Sequence, residues 1–277
     1  MNNFFVNYND FNIENLNSQF KNSAPFRHLV IDNFLNIEHI SQLIDDFPKE
    51  DSPYIHSSNF YTFKGKNTIG RFVPLLYQKF FDEVTSATFV NLIEKLTGIR
   101  NLKADVEFKT GGLELGTPGA FSKLHTDPFL HYHNKKWFSQ ITVLIYLSDP
   151  WLEKYHGQLE IWDIKKKQKI KSISPIQNRC VTFQNSELSY HGYPTPIAQP
   201  SGVYRRAILL WYYIEKNKIP FRPIRYFETE NHLMKKSITF FENILIWFYT
   251  FLRLHFKFDN SYALKIGQFL RSSLWAK

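Results

Sequence analysis

The sequence predicts an α+β fold with a double-stranded β-helix, or jelly roll, over residues 104–215. A helical N-terminal support precedes it and a helical C-terminal extension follows. Two observations lead there. From about Leu102 the apolar period shortens, and short β-branched and aromatic runs alternate with turns such as Gly111-Gly112, Thr117-Pro118-Gly119, Ser148-Asp149-Pro150 and His156-Gly157. Several short strands spaced this way close most simply as a sandwich or barrel. On both flanks, apolar residues recur instead at helical spacing. With 277 residues, 43% hydrophobic and 21% charged, the chain can bury one elaborated core, and its composition excludes wholesale disorder and a bundle of membrane spans.

Residues 1–24 read as a polar, Asn-rich leader without the basic start and apolar stretch of a secretory signal. In the support region, 25–103, Arg27 to Phe34 suits a strand. Asn36 then stands as an N-cap before Ile37, Ile40, Leu43, Ile44 and Phe47, which share a helical face until Pro48 stops it. A second helical block runs over 75–96 with Phe80, Phe81, Val84, Phe89, Leu92, Ile93 and Leu96 inward, and Gly98 is placed for a left-handed cap. The first hundred residues are thus expected to be mostly helical. In the core, 141–147, 158–164, 180–183 and 207–214 have strand length and composition. Lys165, Lys166, Lys167, Lys169 and Lys171 fall at a hairpin tip, where lysines protect an edge.

The extension, 216–277, turns helical after Pro220 and Pro223. Its Ile244 to Leu252 stretch is nine apolar or weakly polar residues, with Glu242, Asn243, Arg253 and His255 beside it, too short a run to span a membrane. A helix on the barrel is the first reading. An oligomer interface and a membrane-surface helix are the others, and the oligomeric state stays open.

Lys and Arg total 34 against 25 Asp and Glu, a net charge of +9. Lys, Asn, Ile, Phe and Tyr all have AT-rich codons, so genome bias accounts for much of this, and no nucleic-acid partner is expected. The single cysteine, Cys180, permits no internal disulfide and reads as a small buried hydrophobe. A reducing, cytoplasmic setting suits it, with membrane association through the C-terminal helix as a variant.

Three features carry chemistry. In His125-Thr126-Asp127, a spacing of two on extended backbone throws an imidazole and a carboxylate to one face. His191 follows at the mouth of another strand. Two His and one carboxylate make the facial triad that leaves positions open on Fe(II) for a chelating cosubstrate and O₂. Arg205 opens the strand Arg205-Arg206-Ala207-Ile208-Leu209, where a guanidinium can hold a distal carboxylate with two charge-assisted bonds. Arg205 shares its face with Ala207 and Leu209, which leaves room for a dicarboxylate, whereas Arg206 lies beside Ile208 and Leu210.

These motifs sit among longer blocks: ITVLIYLSDPW at 141–151, GQLEIWD at 157–163, SPIQNRCVTFQ at 174–184, SYHGYP at 189–194 and RRAILLWYY at 205–213. Together they resemble the 2-oxoglutarate and Fe(II)-dependent dioxygenase superfamily in its prolyl 4-hydroxylase-like branch, and PFRHLVIDNFL at 25–35 resembles the start of many bacterial members. The resemblance implies His125, Asp127 and His191 as iron ligands and Arg205 as the anchor of 2-oxoglutarate. It also implies a cosubstrate contact for the Tyr146 hydroxyl. Fe(II), 2-oxoglutarate and O₂ are the cofactors and cosubstrates it implies, with ascorbate as a candidate reductant.

The implied activity is hydroxylation of a prolyl or other peptide substrate, coupled to oxidative decarboxylation of 2-oxoglutarate to succinate. The same chemistry on a sugar, lipid or surface-polymer precursor is the alternative, and a catalytically silent jelly-roll binding module is the reading from another class. His156 stands where many relatives have glycine, Leu209 replaces a hydroxyl residue, and Ser139-Gln140 lacks a common arginine. His131 and His133 read as exposed loop histidines. They can also line the substrate mouth, as can Phe129, Tyr132 and Trp137.

Overall fold

The computed structural model describes residues 4–59, 63–108, 111–131 and 133–256. The chain opens with α1 (Ile13–Asn22), β1 (His28–Asp32), α2 (Ile37–Asp45), β2 (His56–Asn59), β3 (Phe63–Asn67), α3 (Leu75–Val84) and α4 (Ala87–Thr97). It continues as β4 (Lys103–Ala104), β5 (Gly112–Gly116), β6 (Phe121–His125), β7 (Trp137–Tyr146), β8 (Leu159–Asp163), β9 (Gln168–Ile173) and β10 (Arg179–Gln184). β11 (Tyr190–Tyr193), β12 (Arg205–Glu215), β13 (Tyr226–Phe227) and α5 (Leu233–His255) follow. The strands form one curled antiparallel sheet in the order β1-β10-β7-β12-β5-β3-β6-β11-β8-β9, with β2 on β3, β4 on β12 and β13 on β6. This is the expected jelly roll.

The central strands are apolar on both faces because both faces are covered. On β7 and just after it, Ile141, Val143, Ile145 and Leu147 join a core with Tyr77, Phe80, Phe81, Phe89 and Ile93 of α3 and α4. The alternate residues Leu144 and Tyr146 face inward with Leu159, Phe183 and Ala207. β12 divides the same way: Ile208, Leu210 and Tyr212 turn to the helices, and the Tyr212 hydroxyl donates to the Val84 carbonyl at 2.7 Å. Burying each of these aromatics contributes roughly 1.5–3 kcal/mol, so the helical layer sets the sheet's position. The inner face is thereby left for chemistry.

Several expectations change. The block at 75–96 is two helices, because Thr85 turns its hydroxyl back to the Phe81 carbonyl and Ser86 accepts from the Phe89 amide to start α4. Gly98 ends α4 with φ +73°, as expected. Asn36 precedes α2 but makes no side-chain cap; its amide donates to the Phe4 carbonyl. The polar leader contains α1, which buries Phe20 and is tied to the end of α4 by Asn17 donating to the carbonyls of Lys95 and Leu96. The regular structure of the first hundred residues is mainly helical, as expected, but its strands join the sheet: β1 pairs with β10 and β3 with both β5 and β6. β8 and β9 form the expected lysine-tipped hairpin, and Cys180 is buried.

α5 is a helix, as expected, and no helix among the described residues is long and apolar enough to cross a membrane. It is tied down by polar groups: Asn243 exchanges two bonds with the Tyr226 backbone at 2.8 and 3.0 Å, and Arg253 donates to the His131 carbonyl at 2.7 Å.

Candidate metal centre

His125 ends β6 and His191 lies directly opposite it on β11. Gly192 lets the two strands approach, since a Cβ there would sit 2.6 Å from the Lys123 carbonyl oxygen. Asp127 stands just past β6. One ligand atom from each of His125, Asp127 and His191 lies within 4.8 Å of the others, an arrangement able to hold a metal ion.

The donor set is oriented for that. His125 Nδ1 lies 2.8 Å from the Lys123 carbonyl and His191 Nδ1 lies 2.9 Å from the Ser189 carbonyl, so each ring donates from Nδ1 and turns the Nε2 lone pair inward. Both Nε2 atoms face Asp127 Oδ1, at 3.6 and 3.5 Å. The other oxygen, Oδ2, accepts from the Thr142 hydroxyl and from Trp211 Nε1 at 3.0 Å. Phe183 rests on the His191 ring with centroids 4.4 Å apart. Burial opposes charge on Asp127, but the neighbouring imidazoles hold its carboxyl well below the usual range. Burial pushes His125 down as well, and the Asp127 carboxylate more than offsets this, so its pKa is raised.

Arg205 turns inward from β12 and is only 2% exposed. Its Nε donates to the Gly157 carbonyl at 2.9 Å and its Nη2 to the Tyr146 hydroxyl at 3.3 Å, while the guanidinium lies 4.2 Å from the Tyr193 ring centroid. Gly157 has φ +75°, and a Cβ there would collide with Ile197 at 2.6 Å, so this carbonyl can reach Arg205 only from glycine. The preceding His156 has φ +60°, which explains why glycine suits that position. Arg206 lies on the other face beside Tyr204. Burial pushes the Tyr146 hydroxyl up to about 12, against the opposing effect of Arg205, so it stays a neutral phenol.

A cavity of about 220 Å³ joins the triad to Arg205, lined also by Glu114, Ser122, Thr142, Leu144, Tyr193, Leu209, Trp211, Ile224 and Tyr226. Glu114, Thr142, Trp211 and Tyr226 are absent from the motif reading. Alternation signals two of them: Trp211 shares the face of Arg205, Ala207 and Leu209, and Thr142 that of Leu144 and Tyr146. Glu114 lies between the core residues Leu113 and Leu115, and burial pushes its carboxyl up against the opposing pull of Arg205. Tyr226 arrives by pairing with His125 from a hundred residues on, and no local pattern announces it.

The residues proposed for the substrate mouth are placed differently. Phe129 is buried with Leu130 and Phe138. His131 is not an exposed loop histidine: it is buried, its Nε2 lies 3.4 Å from Asp105 Oδ2, and its Nδ1 accepts from the Asn134 amide. Trp137 packs on that ring, His133 is exposed, and Tyr132 lies outside the described residues.

Residues 112–213 match the family model of the 2OG-Fe(II) oxygenase superfamily. No curated protein matches the sequence. Among solved structures, a Pseudomonas putida prolyl-4-hydroxylase is similar with a TM-score of 0.53 and 14% identity, over 73% of this chain and all of its own. A Trichoplax adhaerens prolyl hydroxylase, solved with a hypoxia inducible factor peptide fragment, has a TM-score of 0.45 and 18% identity, over 73% of this chain and 86% of its own. The viral collagen prolyl hydroxylase of Paramecium Bursaria Chlorella virus-1 has a TM-score of 0.46 and 18% identity, over 68% and 96%.

Proposed function

We propose that this chain, a member of the 2OG-Fe(II) oxygenase superfamily through its 112–213 core, hydroxylates a peptide substrate, with a prolyl residue as the first target to test. The observation that carries the reading is one cavity shared by the His125, Asp127 and His191 cluster and the buried guanidinium of Arg205. His125, Asp127 and His191 would hold Fe(II), and Arg205, with Tyr146 beside it, the far carboxylate of 2-oxoglutarate. Bound iron supplies the activation of O₂. In balance, 2-oxoglutarate, O₂ and a substrate C–H give succinate, CO₂ and a substrate C–OH.

This chain's residues orient and neutralise. Thr142 and Trp211 occupy one oxygen of Asp127, which leaves the other for the ion. Asp127 stays ionised, and burial raises the Glu114 carboxyl against the opposing pull of Arg205. Residues 104–215 serve as the catalytic core in this reading, 25–103 as its support and 216–277 as an extension.

The test is succinate formation from 2-oxoglutarate with Fe(II) and a peptide library, read together with a gain of one oxygen in a peptide's mass. Iron-dependent succinate release with an oxidised proline supports the proposal. Absence of bound iron and of succinate with every peptide and extract overturns the enzymatic reading, and oxidation confined to small molecules overturns the peptide assignment.

A further inference from the structure

α5 meets the barrel through a largely polar side, with Leu254 packed on the Phe129, Leu130 and Phe138 cluster. Thr239 and Thr250 are its buried residues, and Asn243 and Arg253 make its hydrogen bonds to the rest of the fold. These four lie on one side, at i, i+4, i+11 and i+14. Away from that side two neighbouring rows at i, i+4 and i+7 run side by side: Phe240, Ile244 and Trp247 on the flank, where Trp247 meets Phe221 with centroids 5.3 Å apart, and Phe241, Leu245 and Phe248 opposite. All six are 47–63% exposed. A face of this size and aromatic content is far from the scattered exposed apolar residues of an ordinary surface.

Charge selects what covers it. At the end of α5, Lys135 donates to the Phe256 carbonyl at 3.0 Å, and the Lys216 amide donates to the Lys136 carbonyl at 2.8 Å. Lys135, Lys136 and Lys216 therefore gather at one end of the apolar rows. At the other end Lys235 is paired with Glu230 and Lys236 donates to Asn231, and Glu242 is the one acid within the helix. A parallel second copy on this face would bring the Lys135, Lys136 and Lys216 ends of the two chains together, each chain carrying +9 in all. An anionic bilayer surface attracts the same lysines and accepts Phe and Trp at its headgroup boundary.

We propose that α5 docks this protein on an anionic lipid surface, lying in the interface with its Phe240, Ile244, Trp247 and Phe241, Leu245, Phe248 rows immersed. The helix lies on the membrane and does not cross it. Because α5 is tied to β13, whose Tyr226 lines the candidate cavity, docking sets the lipid about one helix diameter, roughly 10–12 Å, from a cavity-lining strand. The inference stands independently of the peptide assignment.

The experiment is co-sedimentation of the full chain with vesicles of phosphatidylcholine alone and of phosphatidylcholine mixed with phosphatidylglycerol. The protein is expected to sediment with the mixed vesicles and to bind pure phosphatidylcholine about tenfold or more weakly, with added salt reducing the difference. F241E/F248E should lower binding by roughly a hundredfold. Both positions are exposed, so its thermal melt should match the unaltered chain. K135E/K136E should lower binding to the mixed vesicles about tenfold while sparing part of it. Failure to sediment with the mixed vesicles, equal binding to both lipids, or full binding by F241E/F248E each overturns the proposal. So does a concentration-dependent dimer that F241E/F248E abolishes, which would make a second copy the occupant.

Discussion

Removing the Arg205 guanidinium probes the cosubstrate anchor directly. A guanidinium carries five N–H donors, and two of those on Arg205 are engaged, by the Gly157 carbonyl and the Tyr146 hydroxyl. The others can meet both oxygens of a carboxylate in the cavity. In Arg205→Ala that carboxylate would be desolvated with no cation opposite. Truncating one partner of a buried, hydrogen-bonded charge pair costs about 2–5 kcal/mol, which is roughly a thirtyfold to several-thousandfold loss of affinity. Arg205→Lys keeps the charge but not the fork and should fall between. Arg206→Ala, on the opposite face of β12, should leave cosubstrate affinity within about threefold, since the 2–5 kcal/mol cost applies only to a buried pair. The assay is anaerobic calorimetry of 2-oxoglutarate binding to metal-loaded protein, with a thermal melt to show that each variant is folded. A folded Arg205→Ala protein that binds as tightly as the unaltered chain, or an Arg206→Ala protein that loses as much, would refute the anchor.

Thr142→Val and Trp211→Phe each remove one donor from Asp127 Oδ2 and should weaken metal binding about 10–100-fold, measured by competition with a chelating dye. Metal affinity should also fall on acidification from the neutral range, because the raised pKa of His125 makes protons compete for Nε2 early; a flat metal-binding pH profile would contradict this. Burial pushes the Glu242 carboxyl up to about 7, against the opposing pull of Lys123. The folded state therefore holds that proton more tightly than the unfolded chain, so the contribution to stability is complete at acid pH and is lost as pH rises through about 7. With Glu242 partly exposed the loss is about 1 kcal/mol, and Glu242→Gln should abolish it in urea melts compared at about pH 5 and about pH 8. Phe89→Ala empties a buried site against Phe34 and Tyr212 and should cost about 3–5 kcal/mol in the same melts.

The jelly roll and the residues of the candidate centre were legible because their signals are local. A period of two assigns Arg205, Ala207, Leu209 and Trp211 to one face, and His125 with Asp127 needs only three consecutive residues. α2, the 75–96 helical block and α5 were legible for the same reason, down to the left-handed Gly98, whereas α1 was hidden in an Asn-rich stretch. The break between α3 and α4 depends on whether two hydroxyls bond their own backbone, a balance of about 1 kcal/mol that periodicity does not report. His131 carries no local mark of its burial, because Asp105 and Arg253 reach it from distant parts of the chain.

What the sequence determined by itself is the chemistry that short spacing can encode: an extended H-x-D, a later histidine, an inward arginine and strands apolar on both faces. Only the tertiary structure decided which distant groups complete the cavity. Glu114 and Tyr226 join it through sheet register, and the Gly157 carbonyl holds Arg205 Nε through a tight approach. It also decided which side of α5 is outward. A helix pattern gives the angle between its polar and apolar faces, but which of them meets the barrel depends on the bonds formed, and here Asn243 and Arg253 hold the polar side in and leave Phe241 and Phe248 to the surroundings.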